Sequence, residues 1–599
     1  SNLFVIAMNA EKVVKTMRYF IQAYSQKLKQ ASAWLAFNIL LCFQANAAML
    51  NLNDLPLFVS TSVPPNIVVS MDDSGSMAWG FMPDSAGGSW RELYYRSAYH
   101  NKVYYDPTVT YIPPSDSLGV QLADADYNDA IRGYYYVTAN QSRFNLATEF
   151  VATYDHRHND STPDLLGTDE AGTGCGTDPG EPCDPQAAYY YNFDDSLVGC
   201  TATVADQATD DACYTKVVIE TDSYTGADST NRHSRTLAEE RTNFANWYQF
   251  YSIRGDAGKT ALTRAFVPGS VSASVRLGRQ ALNNYNTSIG SGASSTHVSE
   301  LDATERADFY DWISDVRTSG GTPLRAAAVR AGNYFTDTNA YRDTPSNSGS
   351  DAVSCRLNTH IMLTDGFYNG AFTNPTGFFR DEDTGKNLGD GTTAYNPNTT
   401  NQEIYPNANS DSSLADLMWH YWATDLETNL TNNIDPYYTE EIIGAVTDEQ
   451  YWNPANDPAN WQHMVSYMVS FGLTGNVPFT ETVYQSLLDG TDYTANDGTT
   501  QNGWPGIGND SGKADDFYHA GINGRGGFFN ATDPNELVVA FKSITDRIAA
   551  RESTASTVVA NSGRISSGNL VYLASFDTEK WIGQLQAFEV SDGSGYDPS

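Results

Sequence analysis

The stretch "NIVVSMDDSGSMAWG" (residues 66–80) carries an apolar run straight into two acids and a string of small polar residues. Asp72, Ser74 and Ser76 stand there in a D-x-S-x-S spacing. Thr322 in "GGTPL" adds a hydroxyl, and Asp365 in "LTDG" adds a second carboxylate. Three neutral hydroxyls and two carboxylates suit Mg²⁺, a hard cation that takes oxygen ligands in octahedral array, with Mn²⁺ or Ca²⁺ as alternatives. The hydroxyls would ligate directly, and the acids would supply charge partly through bound water. So few bound anions leave the ion electrophilic, and an open position can accept a carboxylate from a partner. The set contains neither nucleophile nor general base, and neither G-x-S-x-G nor H-E-x-x-H occurs. The expectation is therefore binding, with no catalytic residue. Each fragment alone has a plainer reading, as a polar turn, a helix cap or a tight turn. Their order, and the elements that carry them, favour a shared cation.

For these groups to meet, their elements must converge. "NIVVSM" is apolar on both faces, as a central parallel strand should be. "SVSASVRLG" (Ser270–Gly278), "THIMLTDG" (Thr359–Gly366) and "MVSYMVSFGL" (Met464–Leu473) read as further strands. "TLAEERTNFANWYQFY" places Leu237, Phe244, Tyr248 and Tyr251 on one helical face, and "ATERADFYDWISDV" does the same with Phe309, Trp312, Ile313 and Val316. "GGTPLRAAAVRAGNYF" begins a helix with Thr322 as N-cap and Pro323 at the first helical position. "LADLMWHYWATDL" (Leu414–Leu426) and "DPNELVVAFKSITDRIAA", the latter capped by Asp533, complete the alternation. Strands alternating with helices predict an α/β, doubly wound, mostly parallel sheet. Its ligands would gather at the carboxyl ends of the strands, where Asp72 and Asp365 stand.

The expected domains are a signal peptide at 1–47, an α/β domain at 62–550 and, from 555 to 599, an all-β segment. A Tyr-, Asp- and Gly-rich insertion interrupts the α/β domain at about 81–235. "ASAWLAFNILLCF" behind Lys27 and Lys29, followed by "ANA", reads as a Sec-type export signal, with Met17 as a candidate start. No later run is long and apolar enough for a membrane anchor. The β-rich end, "NLVYLASFDTEKWIGQLQAFEV", stops in "SDGSGYDPS" and reads as the start of a truncated second domain. In an oxidising compartment Cys175 pairs with Cys183 and Cys200 with Cys213, although four cysteines allow other connectivities. Cys355 is left over and is expected to be buried. With 72 acids against 35 Lys and Arg, the 599-residue chain has a net charge of −37, which repels nucleic acid.

Other motifs are weaker. "RGDAGKT" (Arg254–Thr260) fails as a P-loop, because the first glycine would fall on Ile253. As an adhesive RGD it lies within or beside a helix rather than on a loop tip. "DHRH" (Asp155–His158) reads as a solvated loop before a metal site. The acidic loops Asp381–Gly391 and Asp489–Gly498 do not fit an EF-hand. The tyrosine-rich insertion suits an adhesive surface or a decorative loop domain equally.

The D-x-S-x-S, Thr, Asp pattern resembles the metal-ion-dependent adhesion site of von Willebrand factor A domains. "NKVYYDPTVTYIPP", "SGGTPLRAA", "SCRLNTHIMLTDGFYNG", "ANWQHMVSYMVSFGL" and "DDFYHAGINGRGGFF" are similar to the PilY-type proteins of type IV pilus biogenesis and pilus tips, and such stretches cover most of residues 62–590. The resemblance implies an extracellular A domain followed by a β-propeller with a further Ca²⁺ loop. It also implies work with minor pilins in priming assembly, display at the pilus tip or outer membrane, attachment to host or abiotic surfaces and support of twitching. Other classes are a secreted A-domain binding protein unrelated to pili, a secreted hydrolase, and a metal-chelatase-like subunit, which would need no export signal.

Overall fold

The computed structural model describes residues 63–84, 93–132, 134, 143–152, 185–201, 210–219, 235–271, 275–283, 289, 297–345, 349–407, 412–440 and 442–553, and the backbone of 557–560, 570–577, 582–590 and 596–598. The expected signal peptide, Cys175, Cys183 and Asp155–His158 lie outside these.

In chain order the main elements are β1 (Asn66–Met71), α1 (Leu237–Phe250), α2 (Arg254–Ala265), β2 (Arg276–Ala281), β3 (Ser299–Glu300), α3 (Ala303–Asp315), α4 (Leu324–Tyr334), β4 (Asn358–Thr364), α5 (Leu414–Ala423), β5 (Met464–Phe471), α6 (Asp510–Asn523), β6 (Arg525–Ala531) and α7 (Pro534–Ser553). The six strands form one sheet in the order β6-β5-β4-β1-β2-β3. Every pairing is parallel except the short β2–β3 edge. The chain leaves β1 toward β2 and later returns to β1's other side with β4. The sheet's winding therefore reverses at β1, where open α/β sheets build their binding crevice.

Alternation along β1 sends side chains to two cores. Ile67, Val69 and Met71 pack with residues of α1, α2, α3 and α7, such as Trp247, Leu262, Ile313 and Phe541. Val68 packs on the opposite side with Leu324, Met418 and Phe517 of α4, α5 and α6. Helices thus cover both faces, as a doubly wound fold requires and as the A-domain resemblance implies. A satellite cluster rich in tryptophan, including Trp419, Trp422, Trp461 and Trp504, lies under the long connections after β4 and β5. Among the described residues no helix is long and apolar enough to cross a membrane.

Several boundaries differ from expectation. The strand expected at Ser270–Gly278 begins at Arg276, and two arginines enter a buried strand. Their charges are met by partners far along the chain: Arg276 donates to the Ala340 carbonyl, and Arg279 pairs with Glu305. The helix after "GGTP" starts at Leu324, with Pro323 rather than Thr322 in the cap position and no side-chain cap bond. α6 and β6 escape the periodicity reading altogether. α6 is rich in acids and glycine, and its buried Asp515 and Asp516 accept backbone N–H groups of Val477, Leu414 and Ala415. Such a helix is held by partners, not propensity.

Among its described residues the insertion carries both regular structure and core contacts. It contains the hairpin Tyr189–Phe193/Tyr214–Val218, and Cys200 and Cys213 are joined in a disulfide beside it. Its segment 101–112 packs on α1. Trp247 donates to the Val103 carbonyl, Tyr251 to the Ile112 carbonyl and Tyr105 to Glu240. Cys355 is a half-buried free thiol, more accessible than expected. Beyond α7, the described residues 557–560, 570–577, 582–590 and 596–598 are the strands of a four-stranded antiparallel sheet, in keeping with the β texture of the sequence.

Candidate metal centre

Register sets the site. β1 and β4 run side by side with Met71 opposite Leu363, so the residues that follow emerge together at the carboxyl edge. The Asp72 N–H still donates to the Leu363 carbonyl, at 3.0 Å. Past it the chain turns into a short 3₁₀ segment, Gly75–Ala78. The Asp72 carboxylate closes this turn by accepting the Ser74 N–H at 2.7 Å, and its other oxygen accepts the Thr364 hydroxyl at 2.5 Å.

The loop before α4 is tied to the same turn by backbone. Gly75 N–H donates to the Gly320 carbonyl and Ser319 N–H to the Asp73 carbonyl. Asn283, just past β2, bridges the two, donating from its amide to Asp73 Oδ1 and to the Gly321 carbonyl, both at 2.8 Å. Gly320 has φ +105°, open to glycine at little cost. Thr322 is clamped by Asn369, whose side chain accepts the Thr322 N–H while its own N–H donates to the Thr322 carbonyl.

The five residues are brought to one place. Ser74 and Ser76 hydroxyls lie 3.0 Å apart, and Ser76 donates to Asp365 Oδ1 at 3.0 Å. Gly366 borders the same small space: a Cβ built there would lie 3.3 Å from Ser76 Oγ and 3.9 Å from Thr322 Oγ1. Asp72, Ser74, Thr322 and Asp365 are buried and Ser76 is half-buried.

Electrostatics make the centre short of positive charge. Burial, reinforced by the negative charge of Asp365, pushes the Asp72 carboxyl up to about 8. Burial raises Asp365 as well, against the pull of Arg254. Neighbouring Asp73 is pushed up to about 6 by burial, offset by its bonds from Asn283. A dehydrated carboxylate pair is costly unless a proton or a cation answers it. Three hydroxyls and two such carboxylates fit a hard divalent ion.

Four residues that complete this arrangement were not singled out from the sequence: Arg254, Asn283, Thr364 and Asn369. Arg254 is the first residue of the RGD. It is fully buried, donates to Asp365 Oδ2 at 2.8 Å and to Asp84 at 2.7 Å, and stacks over Trp79 and Phe81. Asp256 is buried too, so this RGD is a helix start inside the protein and unavailable to a receptor. The glycines of the same motif serve packing. A Cβ at Gly255 would lie 3.0 Å from the Met77 carbonyl oxygen, and one at Gly258 would lie 3.2 Å from Leu363. α2 is thereby pressed beneath the serine turn. Only Thr364, adjacent to Asp365 in "LTDG", left a signal nearby in sequence.

A separate carboxylate group, Asp381 and Glu382 of the first acidic loop with Asp416 of α5, has oxygens within 4.8 Å of one another. Asp381 and Asp416 spend their oxygens on Asn407 N–H, Asn523, Ser413 and the Asp381 N–H itself. This cluster ties the loop to the start of α5.

Three curated proteins resemble the chain over nearly its whole length. Each is named type IV pilus biogenesis factor PilY1, from Pseudomonas aeruginosa strains PAK, PAO1 and UCBPP-PA14. They are 31%, 32% and 31% identical over 91%, 91% and 92% of this chain. The chain spans 44% of the length of each. No protein-family profile matches the chain, and no solved structure matches it. Over the region it shares with these proteins, the chain belongs to the PilY-type family.

Proposed function

We propose that this chain is an exported component of type IV pilus assembly that binds its partner through a divalent cation. Asp72, Ser74, Ser76, Thr322 and Asp365 hold the ion, Mg²⁺ in the first instance, and a carboxylate of the partner takes its open position. The protein works by binding rather than catalysis. Its place is the cell surface or pilus tip, with minor pilins on one side and a host or abiotic surface on the other. It thereby supports attachment and twitching. The observation that carries this reading is the meeting of Ser74, Ser76 and Asp365 at 3.0 Å contacts across 289 residues of chain. The curated relatives' name adds the pilus context.

The donors suit this role. Neutral hydroxyls leave the ion electron-poor, and Arg254 draws on Asp365 from behind, which further limits what that acid gives the metal. The test is Asp72→Ala in the native host, scored for surface piliation, twitching and adhesion, beside titration of the purified chain with Mg²⁺, Mn²⁺ and Ca²⁺. Loss of adhesion with loss of ion binding is expected. Wild-type piliation, twitching and adhesion in the variant would overturn the role of the site. Retained adhesion in excess EDTA would overturn metal dependence. Adhesion lost with pili and twitching intact would point to a secreted A-domain binder acting apart from pili.

A further inference from the structure

Asn369, the residue that clamps Thr322, also lines a second feature. It is a cleft of about 800 Å³. Its walls include Arg325, Tyr368, Phe372 and Lys513. Arg325 lies three residues beyond Thr322, in the first turn of α4. Its guanidinium is held between two rings, 4.7 Å from the centre of Tyr368 and 4.5 Å from that of Phe372. Tyr368 is itself fixed by its hydroxyl bond to Asp516. Arg325 donates to the carbonyls of Ser412 and Gly370, its Nε has no acceptor, and among the described residues no carboxylate pairs with it. Lys513 also lines the cleft, 6.0 Å from the centre of the same Tyr368 ring, and among the described residues it bonds only to the exposed Asp510.

Two cations on one rim matter because the chain as a whole carries −37. A partner that offers carboxylates meets like charge over most of this surface. Complementarity must be local, and local charge sets which partner is accepted and in what orientation. A ring-stacked guanidinium that meets only backbone carbonyls and no carboxylate is prepared for one, since its ordering cost is already met by the protein. The flanking rings offer apolar contact to the backbone beside that acid.

Resting on the metal-dependent reading above, we propose that this cleft receives a second carboxylate side chain. The partner would be an acidic peptide segment whose first carboxylate ligates the cation. Arg325 and Lys513 are then specificity residues, selecting a pair of acids rather than one.

The test uses the whole chain in millimolar Mg²⁺ and fluorescent Gly/Ser peptides carrying either one glutamate or two, the second placed at each of the next few positions. At least one two-acid peptide should bind on the order of tenfold more tightly than the one-acid peptide, the size of one charge-assisted hydrogen bond. In Arg325→Gln and in Lys513→Gln, each checked for an unchanged melting temperature, that ratio should fall toward one. Arg325→Lys should retain part of it. A ratio near one at every spacing in the wild type overturns the proposal, as does a ratio unmoved by both glutamine variants. The two readings separate cleanly. Mg²⁺-dependent binding without a two-acid gain leaves the metal reading standing and removes this one. A Lys513-dependent gain that persists in EDTA supports the cleft and removes the metal reading. No binding of any peptide removes both.

Discussion

At the scale of single residues, the centre is governed by the cost of burying acids. Asp72 is fully buried and its carboxyl sits at about 8, well above the unfolded value. The sign follows from linkage: between the unfolded value near 4 and about 8 the folded chain holds a proton that the unfolded chain has lost. Without metal, the Asp72 contribution to stability is therefore greatest in acid and falls as pH rises through that window. Asp72→Asn should flatten this part of the pH profile in EDTA, measured by denaturant unfolding from pH 5 to about 8.5; an unchanged slope would locate the effect elsewhere. With metal, the ion must displace that proton, so Mg²⁺ affinity should rise by up to about tenfold per pH unit between pH 6 and about 8. Calorimetric titration at several pH values checks this, and a flat series would contradict it. Arg254 and Asp365 form a buried ion pair. Removing one partner of such a pair leaves an uncompensated charge and costs about 3–5 kcal/mol. Arg254→Gln should lose stability of that order, with partial rescue by Mg²⁺ and none by Na⁺.

At the scale of elements, the serine turn owes its position to the helix beneath it. In an exposed helix, replacing glycine by alanine gains about 1 kcal/mol. At Gly255 the added methyl would press on the Met77 carbonyl at 3.0 Å, where neither backbone can yield freely. Gly255→Ala should thus destabilise by about 1–3 kcal/mol, as overpacking does, and weaken Mg²⁺ binding in the same variant. A stabilised protein with unchanged ion affinity would show that the turn does not depend on α2. The insertion makes the complementary case. Tyr105 is fully buried and donates to Glu240, also buried. Tyr105→Phe removes one of the bonds to a buried carboxylate and should cost about 1–3 kcal/mol. The tyrosines near residue 105 look like surface decoration when read as composition. In the fold they are part of the core under α1, so a chain lacking 101–112 should not fold.

At the scale of the molecule, net charge complicates any metal experiment. With −37 charges, any divalent salt stabilises the folded chain by screening its self-repulsion. Site binding must be separated from this general effect. An ion at one hundred times its Kd adds about 2.7 kcal/mol. Mg²⁺ should therefore raise the melting temperature of the wild type further than that of Asp72→Asn, while high NaCl should raise both alike. Equal shifts with Mg²⁺ would leave only screening.

The sequence by itself determined the strand ends that carry Asp72 and Asp365, the alternation of strand and helix, and the five oxygen-bearing side chains that the fold brings together. These signals are local: an apolar run that stops in an acid, or a helix preceded by Gly-Thr-Pro, can be read within a dozen residues. It did not determine where β2 begins, that α6 and β6 exist, or that Arg254 belongs to the site. Those depend on partners 26 to 111 residues away that satisfy buried charges, such as Glu305 for Arg279, Leu414 N–H for Asp516 and Asp365 for Arg254. Only the tertiary structure decided that the RGD is buried and that a cationic cleft shares Asn369 with the clamp on Thr322. Burial and adjacency are properties of packing between distant segments, and no spacing along one chain encodes them directly.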